Sequence, residues 1–473
     1  MTSYNRLPPE PNDEAETRAE RGVDVGRRSQ VLCYGLGHFY NDLCACMWFT
    51  YLLVFLTKSL AFSGPAAGLV LLVGQLADGL CTPLIGYEMD RCFIPAMRRY
   101  GQRKSWHLIG TVCVSVAFPF IFSPCLGCTE STHPAVRLFY YIPFVVLFQI
   151  GWASVQISHL SLIPHLTHGT QQRTVYNGIR SVMCDAKVNV FMLVLVVLGL
   201  GTSCVFHCGV REPPSPDHLG HPSGQPGLLP QAPWHHWFAE PSFYMMALIY
   251  MCARIFINIT QTYLPFYVLQ MNYDKEYIAI VPLVVYLSSF LTSTVLSLPA
   301  IKTIASNRKV MLVTGVAAGC GGCAWMWLHD LHLLIFGVAV LVGLASALLL
   351  ITSLAMVADL IGPHKEGSGL VFASMSLCDK LSSGLVIQLV QSLQPVCPLD
   401  KATYFRAVIV FVPGVAALLG LLLALPFRQT HPPTSRSSSE TDDGPPLTED
   451  EPPQSTIARA RGAGHSQQPL PIS

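Results

Sequence analysis

GQLADGLCTPLIGYEMDR, residues 74–91, sets Asp78 inside a run of apolar and small residues. A carboxylate at membrane depth is costly, so it faces a cavity or a partner and serves a function. Three other runs carry charge in the same way: Asp42 in the first, Arg254 in the middle of the chain, and the neighbours Asp379 and Lys380 near its end. Buried charge in several separate spans reads first as a transporter.

The composition supports a membrane protein. Of 473 residues, 51% are hydrophobic and 12% charged, against roughly a quarter charged in soluble domains. Apolar residues fall in blocks near the 20 residues that a bilayer demands. Spans are expected near 31–57, 65–87, 105–125, 138–163, 187–209, 243–268, 276–299, 310–328, 331–357, 370–392 and 405–427. This gives an all-α polytopic fold with two helical halves, 29–209 and 241–428. A polar segment at 1–28 precedes them, a Pro/Gly/His-rich linker at 210–240 separates them, and a Ser/Pro/acidic tail at 429–473 follows, read as disordered. Net charge is +1, which gives no hint of a nucleic-acid partner. The sequence calls for a lipid bilayer and a small-molecule substrate. It holds no nucleophile–base pair, metal motif or phosphate loop, so no enzyme, cofactor or metal is expected.

Lys and Arg set the orientation. Arg18, Arg21, Arg27 and Arg28, then Arg91, Arg98, Arg99, Arg103 and Lys104, place the amino terminus and the second loop in the cytosol. The second half needs the linker in the cytosol too, for six spans to alternate. Five spans in the first half would put it outside. Either a helix is missing from the first half, as in a shortened isoform, which is the favoured reading, or residues 170–186 enter the membrane poorly. A weak internal echo, LIPHLTHG at 162–169 and LIGPHKEG at 360–367, hints at two related halves.

Helical spacing groups the polar residues. His38 and Asp42 share a face, a pair able to pass a proton. Gln75, Asp78 and Thr82 share another, with the partner of Asp78 to come from Arg254, Lys380, a cation or the substrate. Tyr250, Arg254, Asn258 and Gln261 line a third, and the Arg254 guanidinium suits a substrate carboxylate or an ion pair with Asp42 or Asp78. Asp379 and Lys380 are about 100° apart and cannot point the same way. The substrate and coupling set is thus Asp42, Asp78, Arg254, Lys380, His38, Thr82 and Asn258. Asp90, Arg91 and Asp359 read as gate or loop braces. Cys125, Cys128 and Cys397 lie in loops on the non-cytosolic side and are candidates for a disulfide.

YGLGHFYNDL (34–43), DGLCTPLIGYEMDR with RYGQRKSWHLIG (78–110), SLIPHLT (161–167), MVADLIG (356–362) and FASMSLCDKLSSG (372–384) resemble the glycoside-pentoside-hexuronide:cation symporters, the melibiose-carrier branch of the major facilitator superfamily. That resemblance implies twelve spans, alternating access and coupling to a cation. GQLADGLCTPLIGYE, FPFIFSPCLGC and FQIGWASVQISHLSLIP resemble an animal branch of the superfamily. This narrower resemblance implies import of cysteine into lysosomes and melanosomes, with an effect on pigmentation; nothing in charge or spacing points to cysteine. Thr82 stands where melibiose-carrier relatives have a second carboxylate, which tilts the reading from sodium toward proton coupling or facilitated movement. Two other functions stay open: a cation-coupled symporter of a sugar or lipid-like solute, and a transport-defective form acting as an assembly or trafficking partner.

Overall fold

The computed structural model describes residues 29–426, apart from 31, 92–99, 130, 167–187, 211–235, 272, 275, 299–300, 302–306, 329–331 and 362–367. Eleven long helices stand among the described residues. In the first half these are α1 (Leu32–Ser59), α2 (Gly64–Arg91), α3 (Gln102–Ile121), α4 (Pro134–Leu166) and α5 (Val188–Gly209). The second half holds α6 (Pro241–Gln270), α7 (Tyr277–Leu296), α8 (Arg308–Leu328), α9 (Ile335–Ile361), α10 (Ser368–Leu393) and α11 (Lys401–Ala424). Ten are long and apolar enough to cross a membrane, and α5 holds a shorter apolar stretch, Val194–Gly209. The protein is a multi-pass membrane protein. Its burial pattern suits lipid: Leu80, Leu84, Leu198 and Leu422 are exposed while Asp78, Asp379 and Lys380 are buried. The acidic tail at 429–473 lies outside the described residues.

Local sequence explains several helix ends. Pro241 opens α6 at a position whose N–H has no helical partner anyway. Asp400 caps α11 by accepting the Thr403 backbone N–H at 3.0 Å. That bond holds the Asp400 carboxyl below the usual carboxylate range. Gly101 adopts φ 104°, a left-handed conformation that favours glycine, and so turns the chain into α3. Of the three loop cysteines, Cys125 and Cys128 form the disulfide, and Cys397 is a free thiol packed against the core.

The two halves share a plan. α4 packs on α2 and α3, and α9 packs on α7 and α8. α10 lies along α2 and also packs on α6, so it joins the halves. Among the described residues no helix of the first half runs along α7 as α10 runs along α2. By the repeat, that place belongs to a helix between α4 and α5, and residues 167–187 lie outside the described ones.

Helix directions bear on the orientation conflict. Cys33, Gly37 and Tyr40 of α1 meet Gly209, Phe206 and Gly199 of α5, so those helices are antiparallel. Tyr34 meets His159 and Asn41 meets Trp152, so α4 is antiparallel to α1 as well. α4 and α5 therefore run the same way. Leu166 and Gly209 both lie at the end where α1 begins, and Val188 lies at the other. Val210, which precedes the linker, lies at the end where α1 begins, beside Tyr34 and Lys104.

α3 and α4 cross at two glycines. A Cβ at Gly110 would stand 2.6 Å from the Gly151 carbonyl oxygen, a backbone atom that cannot swing aside. Gly110→Ala is expected to lower the stability of the purified protein by about 1–3 kcal/mol. Gly321→Ala meets nothing within 4 Å and is expected to leave the thermal midpoint in place. Equal midpoints for the two variants would contradict this crossing.

Candidate functional site

Two adjacent residues of α10 make the centre of the site. They lie about 100° apart on the helix, and each faces a different helix. Lys380 turns to α2, where its Nζ lies 2.6 Å from Asp78 Oδ2. Asp379 turns to α6, where its Oδ2 accepts from Arg254 Nε at 2.8 Å. One helix thus carries opposite charges toward both halves. Gly79 allows the approach on the α2 side: a Cβ there would already stand 3.3 Å from the Lys380 Cβ.

Each pair has polar support. Thr82 Oγ1 donates to Asp78 Oδ1 at 3.1 Å, as spacing four along a helix permits. Asn258 Nδ2 donates to Asp379 Oδ1 at 2.8 Å and to Ser383 Oγ at 2.9 Å, and Ser383 Oγ donates to the same carboxylate oxygen at 3.3 Å. The Lys380 ammonium lies over the Trp152 ring at 4.4 Å and near the Phe49 ring at 5.3 Å. These contacts offset the cost of taking four charges out of water.

Asp42 stands apart from this centre. Its Oδ1 is 2.8 Å from His38 Nδ1, so α1 carries its own titratable pair. The Arg254 ion pair expected with Asp42 or Asp78 is corrected to Asp379, which α10 places closer. Asp359 pairs with Arg308 at 3.1 Å in a half-exposed position, where it braces α8 against α9. The Asp90 and Arg91 side chains lie outside the described residues.

Sequence reasoning overlooked Trp152. Its ring covers Lys380 and its Nε1–H donates to the Asn41 carbonyl. One signal was present in the sequence, a tryptophan set between two small residues, Gly151 and Ala153, in an apolar span. Some groups are left over for a ligand. The side-chain amide of Asn41 and the Oε1 of Gln75 are buried with no partner among the described residues. Of the Arg254 N–H groups, only that on Nε finds a side-chain partner there. Farther along the polar face of α6, a narrow gap with room for about one water molecule lies between the halves, lined by Thr50, Thr260, Gln261, Leu264, Tyr286 and Ser346 among others. Thr50 belongs to a π-helical turn of α1, Met47–Tyr51, and hydrogen-bonds Tyr286 at 2.7 Å. Such turns recur at functional sites.

Known proteins share this fold. Residues 33–204 match the family described as MFS/sugar transport protein, and residues 188–386 match Major Facilitator Superfamily. The mouse protein called major facilitator superfamily domain-containing protein 12 is 40% identical over 477 residues, covering 88% of this chain and 97% of its own. The human protein of that name is 42% identical, covering 83% and 92%. The crystal structure of a D-xylose-proton symporter superposes with a TM-score of 0.59 at 15% identity, over 84% of this chain and 97% of that one. At that identity the likeness speaks for the fold.

Lys380→Met would leave the Asp78 carboxylate buried without a cation. It is expected to destabilise the protein by about 3–5 kcal/mol, and Lys380→Met with Asp78→Asn to recover most of that loss. Thermal unfolding of the four proteins of this cycle reads it out, and additive effects would contradict the pair.

Proposed function

The chain belongs to the major facilitator superfamily and to the family of the mouse and human relatives it matches, and on that premise we propose that it imports cysteine into lysosomes and melanosomes by alternating access, with a proton moving alongside, and so affects pigmentation. It is a membrane transporter of a small molecule. The finer reading rests on resemblance for the solute and the organelle, and on the site for the way that solute is held.

The observation that carries it is the double ion pair of α10. A zwitterion brings one carboxylate and one ammonium, and the site offers complements for both. Arg254 has N–H groups to spare for the carboxylate. Asp78 suits the ammonium once Lys380 releases it, and the buried Asn41 amide and Gln75 carbonyl lie on the flanking helices α1 and α2. Binding then weakens the contact between Lys380 and Asp78, and with it the seam between α2 and α10. A carrier needs a seam of this kind, since its two halves must open alternately around a fixed site.

Proton coupling is favoured over sodium for a chemical reason. Sodium wants several oxygen ligands, whereas the Asp78 carboxylate already accepts from Lys380 and Thr82. Thr82 supplies a hydroxyl where relatives of the melibiose carrier have a second carboxylate. The positive-inside rule assigns to the cytosol the end of the bundle where α1 begins. The other end then faces the organelle interior, along with the loop that bears the Cys125–Cys128 disulfide.

Organelles from cells expressing the chain are expected to take up labelled cysteine, and Asp78→Asn to reduce that uptake to background at equal protein abundance. Uptake unchanged in Asp78→Asn would sink its role. Uptake that needs sodium and not a pH gradient would favour the cation-coupled symporter, and no uptake by the intact chain would favour the transport-defective form.

A further inference from the structure

Four histidines from four helices meet at the end of the first half where α1 begins. His38 lies on α1, His107 on α3, His159 on α4 and His207 on α5, far apart in sequence. The rings of His38 and His159 have centroids 5.1 Å apart, and those of His159 and His107 lie 6.1 Å apart. His107 Nδ1 and His207 Nε2 are 3.1 Å apart. At the inner end, His38 touches Asp42 at 2.8 Å. The ladder therefore runs from the helix ends toward a buried carboxylate.

Two rungs also hold the bundle together: His107 Nε2 donates to the Gly37 carbonyl and His159 Nε2 to the Tyr34 carbonyl. Such a staple uses one ring nitrogen. With its Nε2–H committed to Gly37, a neutral His107 presents Nδ1 as an acceptor, so His207 donates through Nε2. The Nδ1 of His207 is then a lone-pair nitrogen, and it has no partner among the described residues. Rings that served only as staples would not need to touch one another, and the unpartnered nitrogen of His207, buried beneath the rim, is placed to take up a proton at the outer end.

We propose that His207, His107, His159 and His38 form a proton relay that connects the cytosolic rim to Asp42. This deepens the proton-linked reading above and rests on it. A proton delivered through the rim binds the buried His207 Nδ1, and the proton on its Nε2 passes to His107 Nδ1. Rotation of the His107 ring away from Gly37 hands a proton to His159, which passes one to His38. His38 Nδ1 gives its proton to Asp42 Oδ1. Each transfer makes one bond to hydrogen and breaks one, so the imidazoles end neutral and Asp42 gains the proton.

The surrounding charges favour that direction. On α3, Lys104 binds the carbonyls of His207 at 2.9 Å and of Val210 at 2.7 Å, so a fixed cation guards the rim and disfavours a second proton there. Its ammonium also lies 4.5 Å over the Tyr100 ring, and burial pushes the Tyr100 phenol up to about 12, so it stays neutral. The other facing groups are thiols: Cys33 on α1, beside Gly209, with Cys204 and Cys208 on α5, near Tyr100. Among these groups the one carboxylate is Asp42, so the proton comes to rest there.

The test needs no transported solute, which separates failure of the relay from failure of the cysteine reading. The full chain, purified in detergent, is jumped from about pH 8 to about pH 6 in weak buffer with a pH dye, and both the number and the rate of protons bound are recorded. Asp42→Asn is expected to bind about one proton fewer than wild type. His207→Gln, which keeps a donor for His107, is expected to bind the same number about tenfold more slowly or worse. His107→Gln is the second variant should the first not purify. An unchanged rate in the histidine variant, or an equal proton count in wild type and Asp42→Asn, would overturn the relay.

Discussion

Asp379 and Lys380 are chain neighbours of opposite charge, and helix geometry alone forbids them to share a direction. One residue must face each half of the protein, and each must find its counter-ion there, because neither charge can be left bare in a bilayer. Asp78 and Arg254 are those counter-ions. The register of α10 against α2 and α6 follows from this constraint. Gly68 and Gly79 on α2 keep the seam narrow, with Gln388 and Lys380 of α10 pressed against them.

A seam built on charge behaves differently from one built on apolar packing. An apolar seam gains little from association in lipid, since the tails are as apolar as leucine. An ion pair in the same place is strong while intact and costly when half broken. It is also addressable, because a solute that carries its own charges can take over either partner. The hub therefore joins fold to function: the contacts that set the helix register are the ones a zwitterion or a proton would rearrange. The disposition of α5 fits the same logic, since its C-terminal end closes the first half with His207 and Phe206 packed on α1 and α3.

Much of this was legible in the sequence, and the limits have a physical form. Asp78 with Thr82, and His38 with Asp42, were readable because a helix brings residues four apart together. The divergence of Asp379 and Lys380 was readable for the same reason. Their partners were not, because the choice among Asp42, Asp78 and Arg254 depends on which helices touch, and a single sequence carries no signal for that. The histidine ladder was hidden in the same way: its members come from four helices, and the one clue was that His107, His159 and His207 all stand near helix ends that the orientation rule places on one side. The parallel run of α4 and α5 likewise came from contacts, although the loop charges had already shown that a crossing was unaccounted for.

The most direct test of the hub is a distance across the α2–α10 seam. Spin labels on Leu84→Cys and Phe372→Cys, in a background with the other reactive cysteines replaced, would report that separation by pulsed electron paramagnetic resonance. Both positions are exposed, beyond Asp78 and Lys380 toward the same end of the antiparallel pair. The account predicts one narrow distance with the ion pair intact, a second or longer distance in Asp78→Asn, and return of the narrow one when the charges are exchanged as Asp78→Lys with Lys380→Asp. An identical narrow distance in all three proteins would contradict the claim that this pair holds the two halves together.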